Sequence, residues 1–292
     1  MVVVDVCLCT YRRESVAATL ESLGRQILPP ETRMRVIVAD NDDTPSAREV
    51  VAVAAGALDL HYVHAPSRNI SIARNACLDA ATAPLIAVLD DDEIAPPGWL
   101  ASLLAGMEAS AAPIVLGPVR AIYGPELPAW VAAADLHSTA PAVRADRAID
   151  TGYSCNVLFR AAILGGARFD LALGRTGGED DVFFSNLYRR GHAIAFAPEA
   201  ALIEYVPRSR AALHWLMRRQ FRNGQTYAGI RLGAKDRPAA LALRAGAKAA
   251  VYGAAAAARF WSPAGWRRAV VRGALHVGAV SRVFGKRDLQ IY

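Results

Sequence analysis

Hydrophobic and polar positions alternate in two rhythms along the first hundred residues. Val2–Cys9 is a near-continuous run of β-branched and apolar residues, the pattern of a strand buried on both faces. Ser15–Ile27 follows with Val16, Leu20, Leu23 and Ile27 at helical spacing, and Pro29-Pro30 closes it. Arg35–Ala39 predicts a second strand, Pro45–Ala55 a helix and Leu60–Val63 a third strand. Ile70–Ala81 then reads as a helix and Leu85–Leu89 as a strand that runs into four consecutive acids. Such alternation implies an α/β fold with a mainly parallel sheet flanked by helices on both faces. In that architecture ligands sit beyond the carboxyl ends of the strands, where Thr10-Tyr11-Arg12 and two acidic turns fall.

The alternation then loosens. Pro97–Ala109 predicts a helix and Ile114–Val119 a strand, but residues 120–150 hold scattered prolines and Trp130, the marks of a long excursion over the site. Ser154–Arg160 reads as a further strand. Gly177-Gly178-Glu179-Asp180-Asp181 opens a helix through Arg190, with carboxylates at the end the macrodipole favours for them. From Ser209 on the chain is Ala- and Arg-rich helix with Pro and Gly breaks, and no internal repeat is present. The expected organisation is an α/β domain over residues 1–205 and a basic helical extension over 206–292.

With 53% hydrophobic and 21% charged residues in 292, the chain can bury a sizeable core, which excludes disordered and collagen-like classes. Its uncharged stretches stop short of the ~18–20 residues needed to cross a bilayer, so no transmembrane helix is expected. Met1-Val2-Val3-Val4-Asp5 has neither a basic leader nor a cleavage site, which argues against a secretory signal. Cys7, Cys9, Cys77 and Cys155 form no Cys-x-x-Cys pair and have no nearby His at metal-ligand spacing, so buried reduced thiols in a cytoplasmic protein are expected. Charge is divided unevenly: residues 1–204 carry 16 Lys+Arg against 25 Asp+Glu, and residues 205–292 carry 17 against 2. The last third therefore faces something anionic, whether a membrane surface, a phosphorylated lipid or nucleic acid.

Asp90-Asp91-Asp92 places three repelling carboxylates after a buried strand. A divalent cation bridging them to a diphosphate would hold them together, and a solvated acidic turn is the equal alternative. Asp40-Asn41-Asp42-Asp43-Thr44 fits the Asp-x-Asp-x-Thr pattern of aspartate-nucleophile phosphatases, although no lysine precedes Lys235 to neutralise an aspartyl phosphate. A nucleotidyltransferase would need a glycine-rich loop after the first strand, where this chain has Thr10-Tyr11-Arg12-Arg13. Glu179-Asp180-Asp181 can cap a helix, and the preceding Gly177-Gly178 permits close approach of a ligand, which suits a general base. His61, His64 and His192 read as core or surface residues rather than ligands, and Tyr11 as packing.

Taken in order, Thr10-Tyr11-Arg12-Arg13, Val38-Ala39-Asp40-Asn41-Asp42, Asn69-Ile70-Ser71-Ile72-Ala73-Arg74-Asn75, Asp90-Asp91-Asp92-Glu93 and Gly178-Glu179-Asp180 resemble a family 2 glycosyltransferase of the GT-A fold, of the bacterial type that assembles succinoglycan-like exopolysaccharides. The resemblance covers roughly residues 1–230. It implies an inverting transferase with a nucleotide-sugar donor, usually a UDP-sugar, a glycan or lipid-linked acceptor, and Mg²⁺ or Mn²⁺. Carried onto this sequence, it gives Thr10, Arg12, Asp40, Arg74 and Asp91 to the donor nucleotide, with Asp40 accepting from the uracil imide. Asp92 and Asp90 become the metal ligands, Asp180 the catalytic base and Glu179 its support. Trp130 and Asn156 are candidate acceptor contacts. Arg218 and Arg222, in a run weakly like the family's basic helix, are candidates for the donor phosphates.

The basic extension is expected to rest on the cytoplasmic face of an anionic membrane, with Leu241, Val251, Tyr252, Phe260, Trp261, Trp266, Val270 and Val271 turned to lipid. Packing on the acidic first part is the alternative. Aromatic interleaving is sparse and no nucleic-acid module is present, so a nucleic-acid partner is not expected.

Overall fold

The structure, a computed structural model, describes residues 1–286 and 289. The first unit comprises Met1–Arg120, Ser138–Gly174 and Glu179–Glu204. Its sheet is built from β1 (Val2–Thr10), β2 (Thr32–Asp40), β3 (Leu60–His64), β4 (Leu85–Asp90), β6 (Ile114–Leu116), β8 (Asn156–Arg160) and β9 (Ile194–Phe196) in the order β3-β2-β1-β4-β8-β6-β9. β1, β2, β3 and β4 are mutually parallel, and β9 is parallel to β6. β8 alone runs against its neighbours β4 and β6. The short β5 (Glu93–Ile94) and β10 (Leu202–Tyr205) pair antiparallel in a second sheet, whose third strand is β7 (Val119–Ile122).

Alternate residues of the central strands feed two cores. Val4, Val6 and Leu8 of β1 pack on one face with Val36 and Val38 of β2. That face is covered by α1 (Val16–Gly24) and α4 (Trp99–Ser110) through Leu20, Leu23, Trp99 and Leu103. Cys7, Ile37, Ile86 and Val88 face the other side, against Ala73 and Cys77 of α3 (Ile70–Ala80) and Phe183 and Phe184 of α6 (Glu179–Arg189). Period-two burial on both faces is why these strands read as continuous apolar runs. Cys7 and Cys9 share a face as expected, and all four cysteines are free. The predicted strand Ile114–Val119 divides at Gly117-Pro118. A Cβ on Gly117 would lie 2.4 Å from the Ala200 carbonyl oxygen, so chain crossing there requires glycine.

The second unit comprises Ala121–His137, Arg175–Gly178 and the chain from Tyr205 on. The long excursion therefore divides, its first part grouping with the C-terminal helices. These are α7 (Leu213–Gly233), α8 (Pro238–Ala257) and α9 (Pro263–Val283), and the short α5 (Ala129–Ala134) also contacts α9. α2 (Arg48–Ala54) completes the helices of the first unit. α8 and α9 each start with proline in the first turn, and Ser262 caps α9 by accepting from the Gly265 amide. α7 and α9 meet closely. A Cβ on Gly224 would lie 1.7 Å from the Leu275 carbonyl oxygen, and one on Gly278 would lie 1.9 Å from that of Phe221. Leu241 and Val271 are buried among these helices rather than turned outward, which corrects their expected lipid-facing role. No helix among the described residues is long and apolar enough to cross a membrane.

Candidate active site

Strand register brings the acidic turns together. Thr10 at the end of β1 pairs with Asp40 at the end of β2, and Cys9 pairs with Asp90 at the end of β4. β8 begins at the same edge, because Asn156 is level with Leu89. This is the carboxyl edge of a parallel sheet, where open α/β folds bind ligands.

Three carboxylates crowd the β4 turn. Arg13 spans two of them, its Nη1 lying 2.9 Å from Asp91 Oδ1 and 2.5 Å from Asp92 Oδ2. Burial nonetheless pushes the Asp91 carboxyl up to about 7, against the pull of Arg13. The side chains of Asp90 and Asp92 remain 44% and 20% accessible. Glu93 is buried, and its Oε2 accepts from the Asp90 amide at 2.7 Å, which fixes the turn. Among the described residues, no group of three or more His, Cys, Asp or Glu side chains is gathered to hold a metal by itself.

Across this edge lies the start of α6. Glu179 is buried and ion-paired with Arg74 of α3, whose Nη2 is also 3.6 Å from Asp90 Oδ1. The Arg74 guanidinium sits over the Phe169 ring, 5.6 Å from its centroid. Arg74 thus ties the Glu-Asp element to the acidic turn. Asp180 remains half-buried, with Oδ2 at 3.3 Å from the Ser154 amide and Oδ1 accepting from the Asp181 amide at 2.8 Å.

The loop before α6 is shaped by α7. Gly177 and Gly178 have φ of +83° and +87°, and added Cβ atoms would lie 1.5 Å from Arg222 Nη1 and 2.4 Å from Thr226 Cγ2. Arg222 donates from Nη1 to the Thr176 carbonyl at 3.2 Å and from Nη2 to Asn223 Oδ1 at 2.9 Å. Arg222, expected at the donor phosphates, here holds this loop. Arg218 lines an otherwise largely apolar cavity of about 450 Å³ with Met217, Phe221, Val270 and Val277, not a cluster of phosphate-binding groups.

Other expectations are redistributed. Asp40 is fully buried; Oδ1 accepts from the Asp42 amide at 3.0 Å, and Oδ2 from the Ala47 amide at 2.8 Å and the Tyr62 hydroxyl at 2.7 Å. Its carboxylate helps to fold its own loop, and full burial does not suit an exposed phosphatase nucleophile. Asp42 lies beside it, ion-paired at 2.9 Å with Arg12, which draws its carboxyl down to about 2. Arg12 itself is 55% exposed at the rim, and Thr10 is buried at the strand end. Asn156 is fully buried, accepting from Trp99 Nε1 at 2.9 Å and donating to the carbonyls of Pro118 and Ala200 at 2.8 and 2.7 Å. It is a scaffold residue, not an acceptor contact. Trp130 belongs to the second unit, where Arg267 stands 5.0 Å from its ring centroid. Sequence reasoning missed Arg13 and Ser154; the paired arginines after β1 were the signal for the first.

A parallel sheet whose carboxyl edge gathers an acidic turn, a second acidic helix start and a linking arginine defines a nucleotide-diphospho-sugar transferase architecture. Residues 5–165 match the Glycosyl transferase family 2 domain, and the chain belongs to that family. It is 47% identical to the succinoglycan biosynthesis protein ExoM of Rhizobium meliloti (strain 1021), over 99% of this chain and 95% of that protein. The mannosyltransferase PcManGT from Pyrobaculum calidifontis, solved with GDP-Man and Mn²⁺, shares the fold at a TM-score of 0.64 and 20% identity, over 97% of this chain and 88% of that one. S. aureus TarS 1–349 in complex with UDP-GlcNAc aligns at a TM-score of 0.57 and 17% identity, over 93% and 90% of the two chains.

Proposed function

We propose that this family 2 glycosyltransferase moves a sugar from a nucleotide-diphosphate donor of the UDP-sugar class to a hydroxyl of a growing exopolysaccharide, presented as a glycan or lipid-linked oligosaccharide. The full-length likeness to a succinoglycan biosynthesis protein supports the product class. The UDP-GlcNAc complex of TarS supports the donor class.

One observation carries the chemistry: Arg74 engages Glu179, while the neighbouring Asp180 stays half-buried at the sheet edge. Asp180 takes the proton of the acceptor hydroxyl as that oxygen bonds to the anomeric carbon. The bond from this carbon to the diphosphate breaks, and its electron pair leaves with the nucleoside diphosphate. Attack from the opposite face inverts the anomeric centre and needs only one base. Asp90 and Asp92 offer accessible hard oxygens that fit Mg²⁺ or Mn²⁺, with the donor's oxygens completing the shell. Such a cation, when bound, stabilises charge on the departing diphosphate. Glu93 fixes the backbone at Asp90, Arg13 holds the Asp92 carboxylate, and Ser154 orients Asp180.

The test is Asp180→Asn at saturating donor, with nucleotide binding measured separately. The variant should keep UDP affinity and lose transfer by ~10²–10⁴. Near-normal transfer would refute the base assignment. Dialysis against EDTA should abolish turnover, and Mn²⁺ or Mg²⁺ should restore it. Full activity in EDTA would refute the metal.

A further inference from the structure

We infer that the outward face of α8 and the turn joining it to α9 dock this chain on an anionic lipid bilayer. The inference is independent of the transfer chemistry and goes beyond it. Phe260 and Trp261 lie at the turn, 74% and 70% exposed, with ring centroids 5.2 Å apart. Two large aromatic side chains held in water at a helix junction gain nothing in the isolated chain.

The surface leading to them has the same character. Leu243 and Val251 on α8 are 74% and 66% exposed, and exposed alanines fill the spaces around them. Arg244 and Lys248 share this exposed face, and Arg259 adjoins the aromatic pair. Acidic side chains are absent from the whole stretch: residues 237–286 contain nine Lys+Arg and no Asp or Glu. A protein partner of mixed surface charge would find no anionic groups here to pair with its own cations. An anionic headgroup layer finds only cations around an apolar, aromatic tip. Burying the helix lengthwise in the interface also suits helices that cannot span the bilayer. Leu241 and Ala245 point into the helical core instead, so the lipid-facing set is narrower than the apolar content of the segment suggests.

The experiment is flotation of the full chain with phosphatidylglycerol–phosphatidylcholine vesicles and with phosphatidylcholine alone, without any sugar donor. Binding is expected to the anionic vesicles only, weakening as salt shortens the screening length. Phe260→Ser with Trp261→Ser should reduce partitioning by about tenfold or more, with thermal unfolding unchanged because both side chains are exposed. Arg244→Gln with Lys248→Gln should reduce it as well and flatten its salt dependence. Equal recovery on neutral vesicles, or wild-type flotation of the double variants, would overturn the proposal. Binding to duplex RNA or DNA with no flotation would overturn it too.

Discussion

Arg74 and Glu179 are ion-paired in the interior although 105 positions separate them in the chain. Burial opposes charge on Arg74, but Glu179, Asp180 and Asp90 together hold the guanidinium charged well above the ordinary range. Because Arg74 also faces Asp90, one cation sets the spacing between the acidic turn and the start of α6. Arg74→Met should leave a buried carboxylate without its main partner. A stability loss of roughly 3–5 kcal/mol is expected from urea unfolding. Arg74→Lys, which keeps the charge and loses the fork, should lower kcat more than it lowers stability. Equal stability of Arg74→Met and wild type would show that the pair does not form.

A second buried pair predicts a pH dependence away from the site. Asp5 on β1 is 1% exposed; it accepts from Arg35 Nε and Nη2, each at 2.8 Å, and from the Thr82 and Ala83 amides at 2.6 and 2.8 Å. Burial alone would raise its carboxyl, but these hydrogen bonds and the Arg35 charge outweigh it and bring the group below its ordinary value of 3.8. With the folded-state value depressed, the stabilisation is fully present above the ordinary value and is lost as pH falls through the folded one. Asp5→Asn should therefore be less stable than wild type at pH 7, with the gap narrowing below about pH 4. A gap that stays constant in urea unfolding across this range would contradict the assignment.

How much of this was legible depended on where each signal resides. β1, β2 and β4 announce themselves because burial on both faces demands an unbroken apolar run. β9 and β10 span only three and four residues, too short for any period to show. The acidic turns were visible, since carboxylate clusters at strand ends are unusual. Their partners were not, because Arg13 to Asp91 and Arg74 to Glu179 are long-range contacts with no local pattern. Asp40 shows the same limit: its position at a strand end fits a ligand contact, and only three-dimensional packing reveals the amides and the hydroxyl that it holds. The C-terminal helices were evident from composition, but the α7–α9 seam is made by glycines, which carry no hydrophobic signal.

Asn156 separates the two readings experimentally. A residue touching the acceptor would change acceptor KM when replaced and leave the fold alone. The structure expects the reverse: Asn156→Ala strands Trp99 Nε1 and the carbonyls of Pro118 and Ala200. Three buried polar groups losing partners should cost about 2–4 kcal/mol, read as a lower urea midpoint with acceptor KM unchanged. Wild-type stability with a raised KM would restore the acceptor contact.

Gly177 and Gly178 carry the last prediction. Both backbones lie at positive φ, where a Cβ costs of order 1 kcal/mol before any contact is counted. The contacts then distinguish them. At Gly177 the obstacle is the far end of the Arg222 side chain, which can swing aside at the expense of its bond to the Thr176 carbonyl. At Gly178 it is Thr226, a short β-branched side chain on α7 with little freedom to retreat. Gly178→Ala should therefore displace the start of α6, and Asp180 with it, more than Gly177→Ala does. A shift approaching 1 Å in a catalytic group costs on the order of 10²-fold in rate, so kcat should fall by about that factor in Gly178→Ala. Nucleotide affinity should hold, because the loop precedes the base and carries none of the groups at the β1, β2 and β4 turns. Adding Thr226→Ala to Gly178→Ala should recover part of the loss by removing the clash while leaving the strained φ. Steady-state kinetics on the single and double variants decide it, and a double variant no faster than Gly178→Ala would mean that α7 does not set this loop.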